Sequence, residues 1–179
     1  MERLHEFVGQ NITWLQPAPP LPVYELCAGA AVLAILRWED AAGVLATATA
    51  SNGRWTFRRG LRPDPYVTVR VADVAIFEHG WEGGVLRFAD GRSFRWGRNR
   101  LSTRSEWVDG GPLLRMQASP GFPPGGGHIV IEPAAAAHPE LSLLVLLGWH
   151  LMLLAGDAID LYIGHNIMTH HAANGTKFG

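Results

Sequence analysis

Leu141-Ser-Leu-Leu-Val-Leu-Leu-Gly-Trp-His-Leu-Met-Leu-Leu154 is the stretch on which the reading of this chain turns. Pro139 suits the first helical position, Glu140 favours the positive end of a helix, and Gly156 is a ready C-terminal cap. The spacing therefore predicts a helix over 139–155. Only Ser142, Gly148 and His150 interrupt its apolar run, and they do not line up into a polar face. A helix that is apolar all round has to be enclosed, by protein or by lipid. The lipid reading fits poorly, because the run would span roughly 24 Å against a hydrocarbon core of about 30 Å. Lengthening it to Ile163 would bring Asp157 and Asp160 into the bilayer at roughly 2.5–3.5 kcal/mol each. Flanking Lys or Arg anchors are missing as well. The helix is read as a buried plug.

Whatever surrounds the plug must come from the residues before it, and these read as strand, turn, strand. The candidate strands are Val23–Ala28, Ala31–Trp38, Val44–Ala50, Arg54–Arg59, Tyr66–Val71, Val74–Glu78, Val85–Ala89, Arg92–Trp96, Arg104–Val108, Leu113–Ala118 and His128–Glu132. Asn52-Gly53 and Asp90-Gly91 sit between such runs, and these dipeptides are the preferred filling of two-residue hairpin turns that need positive φ. Asp109-Gly110-Gly111-Pro112 reads as a slacker third turn. Around Asp90-Gly91, Leu86, Phe88, Phe94 and Trp96 recur at period two, with Arg87, Arg92 and Arg95 elsewhere, so one face is buried and the other wet. A helix about 10–12 Å across does not fit the smallest barrels, which their own side chains fill. The expectation is a mainly β fold: a closed antiparallel β-barrel of about 11–12 strands around a central hydrophobic C-terminal α-helix. Residues 1–22, which end in Gln16-Pro-Ala-Pro-Pro-Leu-Pro22, are expected to form an extended Pro-rich lead-in, 23–156 the barrel and 157–179 a C-terminal extension.

Bulk composition agrees with one domain. The 179 residues are 47% hydrophobic and 17% charged with a net charge of −1, so no global field attracts polyanions and a nucleic-acid partner is not expected. Lys177 is the only lysine, and a lone Cys27 excludes an intramolecular disulfide and a cysteine-based zinc site. Met1-Glu-Arg-Leu-His-Glu-Phe7 carries two acids and no apolar core, unlike a secretory signal, and leads to the expectation of a cytoplasmic protein.

In architecture and texture the chain resembles the tubby-like barrel superfamily, which includes the tubby C-terminal domain, phospholipid scramblases and the plant LURP-one-related proteins. The resemblance is carried by Trp55-Thr-Phe-Arg58, Ala75-Ile-Phe-Glu78, the Phe88-Ala-Asp-Gly-Arg92 hairpin and the 141–154 helix, over roughly 23–155. It implies a barrel of about twelve strands around a hydrophobic helix, and a binding or scaffolding role at anionic phospholipid headgroups. The lysine-rich pair expected of a tubby phosphoinositide site is absent, as are a palmitoylation-type cysteine cluster and an alternating acidic Ca²⁺ loop. A shared fold by itself does not fix function.

Two arginine groups are the candidate anion-binding or lipid-binding residues: Arg92, Arg95, Arg98, Arg100 and Arg104, and Arg54, Arg58 and Arg59 with Arg62 beside them. The planar guanidinium fork suits phosphate. The alternative is that they are solvated outward positions whose stems cover apolar neighbours. Catalytic residues, metal and cofactor are all expected to be absent. The Gly121–Gly127 stretch lacks the Lys-Ser/Thr of a phosphate loop and precedes a strand. No serine sits in a nucleophile elbow, and His165, His170 and His171 lack acidic or thiol partners at metal spacing. His150 reads as a satisfied core histidine, with a polar handle for a ligand in the lumen as the alternative. The leading expectation is a non-enzymatic binding module that meets an anionic membrane surface. The alternatives are a small-molecule binder or small enzyme with a pocket beside the helix, and a protein-interaction domain.

Overall fold

The computed structural model describes residues 1, 3–18, 21–40, 44–59, 67–71, 75–80, 83–98, 104–119 and 126–154, with 67–71, 79 and 80 described by backbone alone. Among them lie twelve strands: β1 Asn11–Leu15, β2 Val23–Ala28, β3 Ala31–Trp38, β4 Leu45–Ala50, β5 Gly53–Arg59, β6 Val67–Val71, β7 Ala75–Gly80, β8 Gly83–Phe88, β9 Ser93–Arg98, β10 Arg104–Val108, β11 Pro112–Ala118 and β12 Gly126–Ile131. Each strand pairs antiparallel with its sequence neighbour, and β1 pairs with both β2 and β12, so that the strand order is that of a closed barrel. The helix, α1, runs over 141–154. It starts two residues later than Pro139 predicts, with Leu144 N–H donating to the Glu140 carbonyl at 2.9 Å. Gly156 and the extension 157–179 lie outside the described residues.

Residues 11–15, read from sequence as part of an extended lead-in, are a barrel strand. Ile12 and Trp14 point inward and are buried, while Asn11 and Leu15 face out. The segment before it is also structured. A 3-10 turn at Leu4–Phe7 buries Leu4, and His5 Nδ1 donates to the Ala136 carbonyl at 2.9 Å in a second 3-10 turn, Pro133–Ala137. Both turns lie at the barrel end where β1 begins and β12 finishes, the end of the β4–β5 and β8–β9 hairpins.

The hairpins differ in detail from the sequence reading. Ala50 pairs with Gly53, so Ser51 and Asn52 make the turn and Gly53 opens β5. At Asp90-Gly91 the loop has three residues: Phe88 N–H donates to the Arg92 carbonyl at 2.9 Å and Gly91 N–H to the Phe88 carbonyl at 3.1 Å. Gly91 has φ 91°, the left-handed residue that such three-residue loops require.

Every residue of α1 is buried, and strands from all round the wall reach it. Trp14 of β1 stacks on Trp149 with centroids 5.2 Å apart, and Phe57 of β5 stacks on His150 at 5.4 Å. Trp38 of β3 meets His150 edge-on at 6.1 Å. From the opposite side, Trp107 of β10 donates its indole N–H to the Leu144 carbonyl at 2.8 Å. Close approach is possible because Gly127 on β12 has no Cβ, which would come within 2.7 Å of the Trp149 ring. No helix among the described residues is long and apolar enough to cross a membrane.

Candidate anion-binding site

Alternation along β9–β12 places one set of side chains on the outer wall, and the antiparallel register then sets them side by side. Arg104 lies opposite Gln117 and Gln117 opposite His128; in the next row Gly97 lies opposite Glu106, Glu106 opposite Arg115 and Arg115 opposite Val130. Arg98, at the end of β9, pairs in register with Ser105. These residues line an open recess of about 610 Å³. Gly97 contributes to its depth, since a Cβ there would stand 3.5 Å from Glu106 Cγ.

The recess mixes charged and neutral groups. Arg98, Arg104 and Arg115 supply guanidinium forks, while Gln117 and His128 supply amide and ring atoms. Among the described residues, Glu106 is the one acid in the lining. Arg104 Nε donates to Gln117 Oε1 at 3.3 Å, and Arg115 pairs with Glu132 at 3.2 Å with its side chain 60% exposed. Cationic forks around a concave surface can hold a phosphate group, and the amide and imidazole can orient what the phosphate carries.

The arginines predicted from sequence are divided by the fold. Arg98 and Arg104 line the recess, and Arg100 lies outside the described residues, as does Arg62. Arg92 sits in the β8–β9 hairpin, about 20 Å along the extended strand from Arg98. There it serves the fold: its Nε donates to Asp90 Oδ2 at 2.8 Å, its Nη1 pairs with Glu140 at the start of α1, and its guanidinium lies 5.0 Å from the Phe88 ring centroid. The Arg92 backbone N–H, and then its side chain, hold the Asp90 carboxyl below the usual range. Arg95 is exposed on β9 between Val85 and Val108. Arg54 faces out at the start of β5 opposite Thr49, and Arg58 faces out near its end opposite Leu45. Strands β6, β7 and β8 separate β5 from β9, about 19 Å around the wall, so the two groups are not one surface. Arg115, Gln117 and His128 were missed. Period two in Leu113–Ala118 marks the first two as outward, but only the β10–β11–β12 register puts them beside Arg104.

A second polar feature lies inside the barrel. His150 is fully buried, and neither ring nitrogen has a hydrogen-bond partner, in contrast to the satisfied core histidine expected. The indole nitrogens of Trp14, Trp38 and Trp149 also lack partners. Burial, reinforced by Arg59 and opposed by Asp40, pushes the His150 imidazole down to about 3, so it is neutral at physiological pH. Burial, and then Glu25, pushes the Cys27 thiol up, which disfavours a reactive thiolate. Among the described residues no three His, Cys, Asp or Glu side chains gather as a metal site would need. His165, His170 and His171 lie outside the described residues.

Compared with known proteins, the chain matches no family model, no curated protein and no solved structure.

Proposed function

We propose that this protein is a non-enzymatic binding module that takes a phosphate-bearing anion, with phospholipid headgroups as the ligand class, in the recess on β9–β12. The observation that carries the reading is the convergence of Arg98, Arg104 and Arg115 on one concave patch with Gln117 and His128 beside them. The tubby-like resemblance belongs to the same proposal: a wall of strands around an apolar helix gives a rigid outer surface on which side chains in register can be held. Binding at the recess should be electrostatic and weaken with salt.

Liposome flotation with and without phosphoinositide or cardiolipin tests the reading. The wild-type protein should float with the anionic vesicles at low salt, and R98A/R104A should bind about thirty-fold more weakly, at about 1 kcal/mol for each cation near a charged surface. Failure of the folded protein to bind at any salt concentration, or undiminished binding by the double variant, overturns it. A second reading, a small-molecule site in the lumen, is favoured by the unpartnered nitrogens of His150 and Trp38.

A further inference from the structure

Glu106 is out of place in a recess built for anions alone. It faces Arg115 across β11 and Gly97 across β9, and Arg104 lies two residues back on its own strand, about 7 Å along the backbone. Neither arginine neutralises it. Arg115 reaches the other way, its Nη1 pairing at 3.2 Å with Glu132 just beyond the end of β12. Arg104 Nε donates to Gln117 Oε1 at 3.3 Å, across β11. Among the described residues Glu106 makes no hydrogen bond and no ion pair.

Gly97 keeps the carboxylate open on the β9 side. A Cβ there would stand 3.5 Å from Glu106 Cγ and 3.8 Å from Oε1, so a longer side chain at 97 would cover that oxygen. With only hydrogen in its place, the exposed carboxylate is presented to the recess. The lining therefore has two poles. Arg98, Arg104, Gln117 and His128 make a donor-rich side, and one row away Glu106 is an acceptor only. A ligand bringing phosphate alone meets this carboxylate as a like charge. A ligand with a cation beside its phosphate turns the same contact into a charge-assisted hydrogen bond. A volume of about 610 Å³ has room for both groups.

We infer, on the binding reading above, that the recess takes a phosphate ester carrying a primary ammonium group, as in phosphoethanolamine, with the phosphate on Arg98 and Arg104 and the ammonium on Glu106. A hydroxyl-bearing ester such as glycerol phosphate meets the arginines but leaves the carboxylate without a counter-charge. The same chemistry occurs in a free ester and in a phospholipid headgroup.

Calorimetric titration of wild type, E106Q and R98A/R104A with O-phosphoethanolamine and with glycerol phosphate tests this. Glycerol phosphate is the more anionic ligand, so a merely cationic patch prefers it. The wild type should instead bind O-phosphoethanolamine about five-fold more tightly, as an exposed ion pair gives, and E106Q should bring the two within about two-fold. Co-sedimentation with phosphatidylcholine vesicles, with and without phosphatidylethanolamine, separates the sources: capture only with phosphatidylethanolamine supports a lipid headgroup, and ester binding without capture supports a soluble ligand. Equal wild-type affinity for the two esters, or an undiminished preference in E106Q, overturns the ammonium site and leaves the recess reading standing. If the folded wild type binds neither ester nor vesicles, or R98A/R104A binds both esters as the wild type does, the recess reading itself fails and takes the inference with it.

Discussion

His150 is where a single side chain has the largest measurable consequence. Its ordinary value near 6.5 is that of the unfolded chain, and the folded value is about 3. Because the folded state resists taking up the proton, stability falls as pH drops below about 6.5, by about 1.4 kcal/mol per unit until the folded value is reached. Between pH 7 and 5 the loss from this residue is about 2 kcal/mol. Urea denaturation of wild type and H150F at both pH values should show that extra acid sensitivity in the wild type alone, and equal slopes would refute it. H150F should also be the more stable at neutral pH by about 1 kcal/mol, since it keeps the stack on Phe57 and removes two unpartnered nitrogens. The apolarity of the residues around position 150 made the burial legible. Whether a partner faces the ring depends on which strand lies opposite, and spacing along one helix does not contain that. The arginines are a similar case. A run of cations in one dimension looked like a patch, but an extended backbone carries Arg92 and Arg98 to opposite ends of β9.

Gly148, one of the three interruptions in the apolar helix, has its reason at the level of packed elements. A Cβ there would stand 2.7 Å from Met116 Sδ and 2.8 Å from Trp107 Nε1, the indole that donates to the Leu144 carbonyl. G148A gains helix propensity but overpacks α1 against β10 and β11, and should destabilise by about 1–3 kcal/mol in thermal or chemical unfolding. Unchanged stability would show that Met116 yields freely. The start of α1 is tied to the β8–β9 hairpin through Arg92 and Glu140, whose side chain is only 11% exposed. A double-mutant cycle on R92A and E140A should give a coupling of about 0.5–1 kcal/mol that shrinks with salt, and zero coupling would mark the contact as incidental. The existence of the hairpins and of the helix was readable, because alternation, turn residues and an uninterrupted apolar run are local signals. Strand β1 was not, since five residues beside a Pro-rich stretch carry too little alternation to be told from an extended tail.

For the molecule as a whole, β1 is the strand that joins the two ends of the sheet. It is hydrogen-bonded to β2 on one side and β12 on the other, and it brings Trp14 onto Trp149. Removing residues 1–15 should leave two unpaired edges and an uncovered flank of α1, so the truncated chain should lose its cooperative thermal transition and aggregate. A sharp, concentration-independent transition in that truncation would refute the role given to β1. W14A is the milder probe, expected to cost about 3–5 kcal/mol. The pairing of Asn11 with Val130 also bears on how the protein is made. An early-synthesised strand has to wait for one of the last before its second row of N–H and C=O groups is satisfied, and the apolar helix that fills the interior emerges later still. Loop closure over such a separation is slow. Until β12 is made, one row of N–H and C=O groups on β1 therefore stays unpaired, an open edge of the kind that folded sheets close or cover.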